Sequence, residues 1–253
     1  MERLEGINSV LSALEGDREI NKILIMEGKT GRSVDKIINL ARERQIPLVT
    51  LNRQRFESMA QSAYAQGVMA EAKAYAYARV DDILQLAEQR GEEPFIVILD
   101  GLEDPQNVGS IIRTAECAGV HGVIIPRHRA AGVTAAVSRA SAGALEHMLV
   151  AQVANVVQTL EELKSIGCWV IGADMQGEAA WGQAKLPTPA VLVIGSEGKG
   201  LHRLVKQKCD LTVRIPMSGH TGSLNASVSA ALLIYEVLRG RECASQKGNS
   251  PHR

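Results

Sequence analysis

The chain has 253 residues, 45% of them hydrophobic, and its 28 Lys and Arg are balanced by 28 Asp and Glu. That composition suits an ordinary globular protein of one large or two smaller domains and contains no apolar run long enough to cross a membrane. Zero net charge gives no support to a general polyanion-binding surface, so any nucleic-acid site has to be a local patch.

In chain order, the opening segment MERLEGINSVLSALEG places Ile7, Val10, Leu11 and Leu14 on one face of an amphipathic helix. It lacks the charge and apolar centre of an export signal, so a cytoplasmic location is expected. Lys22 to Met26 reads as a buried strand, Ser33 to Arg44 as a helix with Val34, Ile37, Ile38 and Ala41 inward, and Pro47 to Leu51 as a second strand. A helix over about Arg53 to Gln61 and a strand over Gly67 to Ala72 complete a small α/β unit, residues 1–76, that holds no catalytic constellation. A linker and short helix follow over residues 77–94. From Phe95, apolar strands alternate with helices through about Gly240, which predicts a largely parallel sheet covered on both faces. Residues 241–253 read as a polar tail. Cys117, Cys168, Cys209 and Cys243 form no CxxC or Cys/His spacing, so neither a zinc site nor a disulfide framework is expected.

Three strand-to-helix junctions of the larger unit attract attention, because ligands of parallel α/β proteins collect at the carboxyl ends of strands. In the first, DGLEDPQNVGSIIRTAECAGV, Asn107 is placed to cap a helix over Val108 to Ala118. Gly109 and Arg113 share a helical face, so Arg113 could hold a phosphate or an oxyanion, or pair with Glu116 on the surface. The second, VLVIGSEGKGL, surrounds Ser196, Glu197 and Lys199 with glycines; it fits neither GxxxxGK[ST] nor GxGxxG, so ATP and NAD are poorly supported. The third, IPMSGHTGSLNASVSAALLIYEVLRG, runs from a strand into a polar turn and a long helix. Ser223, Asn225 and Ser227 are its polar groups, and Ser223 or Asn225 could equally be a plain helix cap. Local cationic patches are Arg53 with Arg55; Arg127, His128, Arg129 and Arg139; and Lys199, His202, Arg203, Lys206 and Lys208.

Taken together, NVGSIIRTAECAG, LVIGSEGKGL and IPMSGHTGSLNASVSAALLIYE resemble, in order and separation, the three motifs of the SpoU (TrmH-type) RNA 2′-O-ribose methyltransferases of the SPOUT superfamily, most of all the bacterial 23S rRNA guanosine 2′-O-methyltransferases. The resemblance covers Phe95 to Gly240, and the preceding region resembles the L30-like substrate-binding domain of that family. It departs at Tyr64 to Gly67, YAQG, where many relatives carry a histidine before the glutamine, and at Arg139, often lysine in relatives. The resemblance implies an α/β fold with a trefoil knot over residues 95–240, a homodimer, S-adenosylmethionine as methyl donor with no metal, and large-subunit rRNA or its assembly intermediate as substrate. It implies a catalytic surface of Asn107, Arg113, Glu197, Ser223 and Asn225. It also implies donor contacts from Gly195, Ser196, Glu197, Gly198, Ile215, Met217 and Leu224. A tRNA ribose methyltransferase and a non-catalytic RNA-binding assembly protein are the alternatives. A nicotinamide oxidoreductase would need a glycine fingerprint after the first strand, which is missing.

Overall fold

The computed structural model describes residues 1–16, 18–60, 65–182 and 186–248 of the chain, with side chains described as far as Arg241. Tyr64 of the YAQG stretch and Gln61, the expected end of a helix, lie outside the described residues. Two compact units form: Met1–Ala76 with Val133–His147, and Tyr77–Gly132 with Met148–Arg253.

In the first unit, strands β1 (Glu2–Glu5), β2 (Ile20–Met26), β3 (Leu48–Leu51) and β4 (Val68–Ala72) form a sheet in the order β1-β4-β2-β3. β4 runs antiparallel to both β1 and β2, and β3 runs parallel to β2. Helices α1 (Ile7–Glu15) and α2 (Arg32–Glu43) cover it; Val34, Ile37 and Ala41, spaced three and four apart, are buried against Leu14, Ile23 and Ala70. Helix α3 (Arg53–Met59) is capped by Asn52, whose side chain accepts from Arg55 N at 2.9 Å. The first strand was not legible as such, because its four residues run directly into the amphipathic helix. Gly6, at φ 97°, separates the two elements.

The second unit carries a seven-stranded sheet in the order β7-β6-β5-β10-β8-β11-β9, with every neighbouring pair parallel. Its strands are β5 (Phe95–Asp100), β6 (Gly122–Pro126), β7 (Leu149–Val153), β8 (Trp169–Ala173), β9 (Ala179–Ala180), β10 (Ala190–Gly195) and β11 (Leu211–Arg214). Helices α4 (Val80–Arg90), α5 (Pro105–Cys117), α7 (Val156–Ser165), α8 (Arg203–Lys208) and α9 (Ala226–Gly248) belong to this unit, and α6 (Ala135–Ala140) lies between β6 and β7 in the chain. One core cluster joins Ile83 of α4 and Leu160 and Leu163 of α7 to Ile96, Ile98, Ile124, Val170, Val191 and Val193 of the strands. Gly122 makes room for this packing: a Cβ there would lie 2.4 Å from Ile83 Cδ1.

Three features differ from the expectations. α6 and the 3-10 turn Ala144–His147 belong to the first unit, although they lie between β6 and β7 in the chain. Arg18 reaches both Glu2 and Glu146, and Arg139 stands 3.7 Å from Glu5, long-range pairings that no local pattern reveals. The apolar pattern puts a short strand around Leu145 to Val150, but β7 begins only at Leu149, after that turn. The final helix runs on to Gly248, so the expected polar tail is helical over residues 241–248.

Candidate active site

Because all seven strands are parallel, the turns leaving β5, β10 and β11 gather at one pole of the sheet. After β5, Asp104 caps α5 by accepting from Gln106 N at 3.0 Å, with Pro105 as the first helical residue. Asn107 therefore does not cap the helix, contrary to expectation; it sits inside the first turn, with its side chain free for other work and only 4% exposed.

β10 ends at Gly195, in register with Asp100 of β5. No side chain fits at Gly195, since a Cβ would lie 2.2 Å from Gly200 C. Beyond it Ser196 and Gly200 exchange backbone N–H to carbonyl hydrogen bonds of 3.1 and 2.9 Å, closing a tight turn in which Gly198 and Gly200 take positive φ. The turn holds Glu197 out toward Asn107. Buried Asp100 anchors its far end, accepting from His202 N at 2.7 Å on Oδ2 and meeting His202 Nδ1 at 2.9 Å on Oδ1. This anchor was not expected, although the acid that closes FIVILD was visible.

From β11 the chain passes through Ile215 to Leu224 and enters α9 at Asn225. Asn225 Oδ1 accepts from Ser227 N at 2.9 Å, Ser227 Oγ at 2.5 Å and Val228 N at 3.3 Å, which makes it the helix cap. Its Nδ2 donates instead to Asn107 Oδ1 and Glu197 Oε1, each at 2.9 Å. The plain and the functional readings of this residue thus hold on different atoms. Asn107 Nδ2 donates to the same Glu197 oxygen at 2.9 Å, and Ala226 N does so at 3.3 Å. One carboxylate oxygen is fixed by donors from the starts of two helices, where the backbone dipoles favour negative charge. Oε2 of Glu197 has no hydrogen bond among the described residues.

Against this cluster opens a cleft of about 350 Å³. Gly195, Ser196, Glu197, Gly198, Ile215, Met217 and Leu224, the seven expected donor contacts, all line it, and so does Ser223. The turn after β8 adds Asp174, Met175 and Gln176, which were not anticipated; Asp174 is paired there with Lys206 at 2.7 Å. Apolar walls from Ile194, Val213 and Leu233, with backbone groups of the glycine turn, fit a ligand with an apolar body and hydrogen-bonding edges. Among the described residues no group of three or more His, Cys, Asp or Glu is arranged to hold a metal ion.

Arg113 is not part of the hydrogen-bonded cluster and does not line the cleft. It lies on the exposed side of α5, whereas Gly109, four residues earlier, is buried. It makes no ion pair among the described residues, so the alternative pairing with Glu116 is not formed. The structure also sorts the cationic patches. Arg139 faces Glu5, Arg53 pairs with Glu57 at 2.7 Å, and Lys208 pairs with Glu161 at 2.5 Å.

Known proteins share this architecture. Residues 94–235 match the SpoU rRNA Methylase family, and residues 3–78 match the family described as RNA 2'-O ribose methyltransferase substrate binding. YacO of Bacillus subtilis (strain 168), named as a TrmH family tRNA/rRNA methyltransferase, is 45% identical over 236 residues, spanning 93% of this chain and 94% of its own. The SpoU methyltransferase AviRb from Streptomyces viridochromogenes, solved in complex with the cofactor AdoMet, is similar with a TM-score of 0.78 at 26% identity over 95% of this chain and 90% of that one. A structure described by the 2-OH methylation of C/U34 on tRNA is similar over 58% of this chain and 96% of its own, with a TM-score of 0.53 and 28% identity. By these matches over nearly its whole length, the chain belongs to the SpoU rRNA methylase family and is an RNA methyltransferase of the TrmH type.

Proposed function

We propose that the protein transfers a methyl group from S-adenosylmethionine to a ribose 2′-hydroxyl of RNA, that of a guanosine in large-subunit rRNA, in the cytoplasm. The observation that carries this reading is the meeting of Asn107, Glu197 and Asn225 beside the glycine-walled cleft. The donor supplies a methyl group already activated on a sulfonium. Ile215, Met217 and Leu224 with the backbone of Gly195, Ser196 and Gly198 would hold it. The task left to the protein is to align the ribose oxygen and help its proton leave. Glu197, with Oε1 fixed by Asn107 and Asn225, turns its second oxygen to the ribose hydroxyl, and Ser223 orients the sugar from the cleft wall. Arg113 binds the adjacent phosphate and stabilises the developing alkoxide; a guanidinium, always charged, suits that role better than a proton acceptor's.

Two further points belong to this reading. Val228 and Tyr235 of α9 are 46% and 49% exposed, an apolar stripe that a second copy would cover in a homodimer. The order β5-β10-β8-β11 makes the chain pass beyond β8 after β10, a course compatible with the trefoil knot that the family likeness implies.

The match of residues 94–235 to the SpoU rRNA Methylase family supports the choice of rRNA, as does the tRNA C/U34 structure's coverage of only 58% of this chain. The test is transfer of labelled methyl from S-adenosylmethionine to unmodified large-subunit rRNA, its assembly particle and tRNA in parallel. Label in rRNA or the particle is expected; label confined to tRNA would replace the substrate while keeping the chemistry.

A further inference from the structure

In a chain of zero net charge, the placement of unpaired cations carries information. On the helical flanks of the second unit, lysines are neutralised: Lys164 by Asp210 at 2.6 Å, Lys206 by Asp174 at 2.7 Å and Lys208 by Glu161 at 2.5 Å. The turn after β6 is different. Arg127, His128 and Arg129 are consecutive, all three are exposed, and none of the three side chains has an ion pair or hydrogen bond among the described residues. The turn after β10 continues the pattern with Lys199, and Arg203 opens α8 just beyond it, both without an ion pair among those residues. β6, β5 and β10 are adjacent in the sheet, so these cations flank the β5 turn that leads to Asn107.

The β6 turn is also held in a fixed shape. Arg127 N donates to Val153 O and Ala131 N donates to Leu102 O, both at 2.8 Å. Arg129 takes φ 57°, a left-handed conformation that a branched or long residue seldom adopts without an external reason. Gly101 lies between the two turns: a Cβ there would be 2.8 Å from His202 Cε1 and 3.8 Å from Arg129 O. The intervening β5 turn is acidic, but Asp100 is bound to His202 and Asp104, though exposed, caps α5, which leaves Glu103 as its acid without a hydrogen bond among the described residues.

We propose that the turn Arg127 to Arg129 is a phosphate-binding element that grips the RNA backbone next to the target nucleotide and so sets affinity for the RNA substrate. This rests on the functional reading above and assigns it a surface. Guanidinium forks without a protein partner match phosphate oxygens, and a fixed turn presents them without an ordering cost. Sequence selection does not follow from such contacts; register along the RNA does.

The test compares the full-length parent with Arg127→Ala and with Arg127→Ala/Arg129→Asn, asparagine being chosen because it tolerates positive φ. RNA binding is measured against salt concentration, methyl transfer gives KM for RNA, and donor binding and melting temperature report the fold. The expected result is a log–log salt slope shallower by about 0.7 for each arginine removed and a KM for RNA raised about tenfold in the double variant, with the donor Kd unchanged. Should the double variant melt early, the single Arg127→Ala change, at ordinary backbone geometry, still decides the matter through its slope. An active parent whose variants keep its slope and KM for RNA would overturn the proposal alone. A parent that neither binds nor methylates RNA would overturn the functional reading and the proposal with it.

Discussion

The two poles of the seven-stranded sheet use the same helix for opposite purposes. At the carboxyl pole, the first residue of the α9 junction, Asn225, joins Asn107 and exposed Glu197 in a cluster open to a cleft. At the amino pole, Arg241 near the other end of α9 stacks 5.5 Å from the Phe95 ring, donates to Glu93 O at 2.8 Å and reaches Glu92 at 3.3 Å. Beside it His121, with no exposure, accepts from Phe95 N on Nδ1 at 3.0 Å and stands 3.3 Å from Glu92 through Nε2. Burial lowers its pKa, with Arg241 and Arg90 adding to the effect and Glu92 opposing it. Polar groups at one pole are held yet accessible to a cleft, and at the other they are spent on one another, around a histidine with no exposure. Polarity near a sheet end is therefore not in itself a sign of chemistry; an accessible acceptor beside a cavity is.

Substitutions should separate the poles, and the largest effect belongs to Asn225→Ala. It removes a donor from Glu197 and the cap of α9, so turnover in a methyl-transfer assay should fall by about 10²- to 10³-fold, with about 1 kcal/mol of stability lost. Arg113→Lys comes next. The charge survives but the fork does not, and a turnover roughly 10- to 100-fold lower, with part of the RNA affinity retained, is expected. Near-normal turnover across neutral pH would remove Arg113 from the mechanism. Gly195→Ala forces a methyl into the backbone of Gly200; equilibrium dialysis should find donor affinity weakened by about tenfold or more, in keeping with an overpacking cost of about 1 to 3 kcal/mol.

Smaller effects are expected at the amino pole, and they should appear in stability rather than transfer. An unfolded histidine titrates near 6.5, and the folded value of His121 is lower. Its contribution to stability is complete above about 6.5 and is lost as pH falls through that value toward the folded one. The melting temperature of the parent should therefore decline more steeply between pH 7 and 5 than that of His121→Gln, and equal slopes would show that His121 is not the group responsible. Arg241→Ala should cost about 1 kcal/mol through the lost ring contact and carbonyl bond, while donor binding stays at the parent value.

Much of the second unit was legible because buried parallel strands write continuous apolar runs: FIVILD, GVII and VLVIG each became a strand where the pattern placed one. The first strand and the two-residue β9 were not, since four and two residues carry too little periodicity beside stronger neighbours. The assignment of Val133–His147 to the first unit was also hidden, because it depends on Arg18 and Glu5 finding partners more than a hundred residues away. At the site, residue types and glycine spacing marked the three turns, but geometry sorted their members. Asp104 displaced Asn107 from the cap and freed it for Glu197, while Arg113 stood apart from both. The Asp100–His202 anchor escaped notice because an acid at a strand end has no spacing signature.

Where the methyl group goes tests the role of the Asn107–Glu197–Asn225 cluster most directly. RNA labelled by the parent protein and S-adenosylmethionine, digested to nucleosides and compared with RNA treated with Asn225→Ala, should carry the label on the ribose of 2′-O-methylguanosine, with little or none from the variant. Label on a nucleobase, or equal ribose label from the variant, would contradict the role given to the Asn107–Glu197–Asn225 cluster.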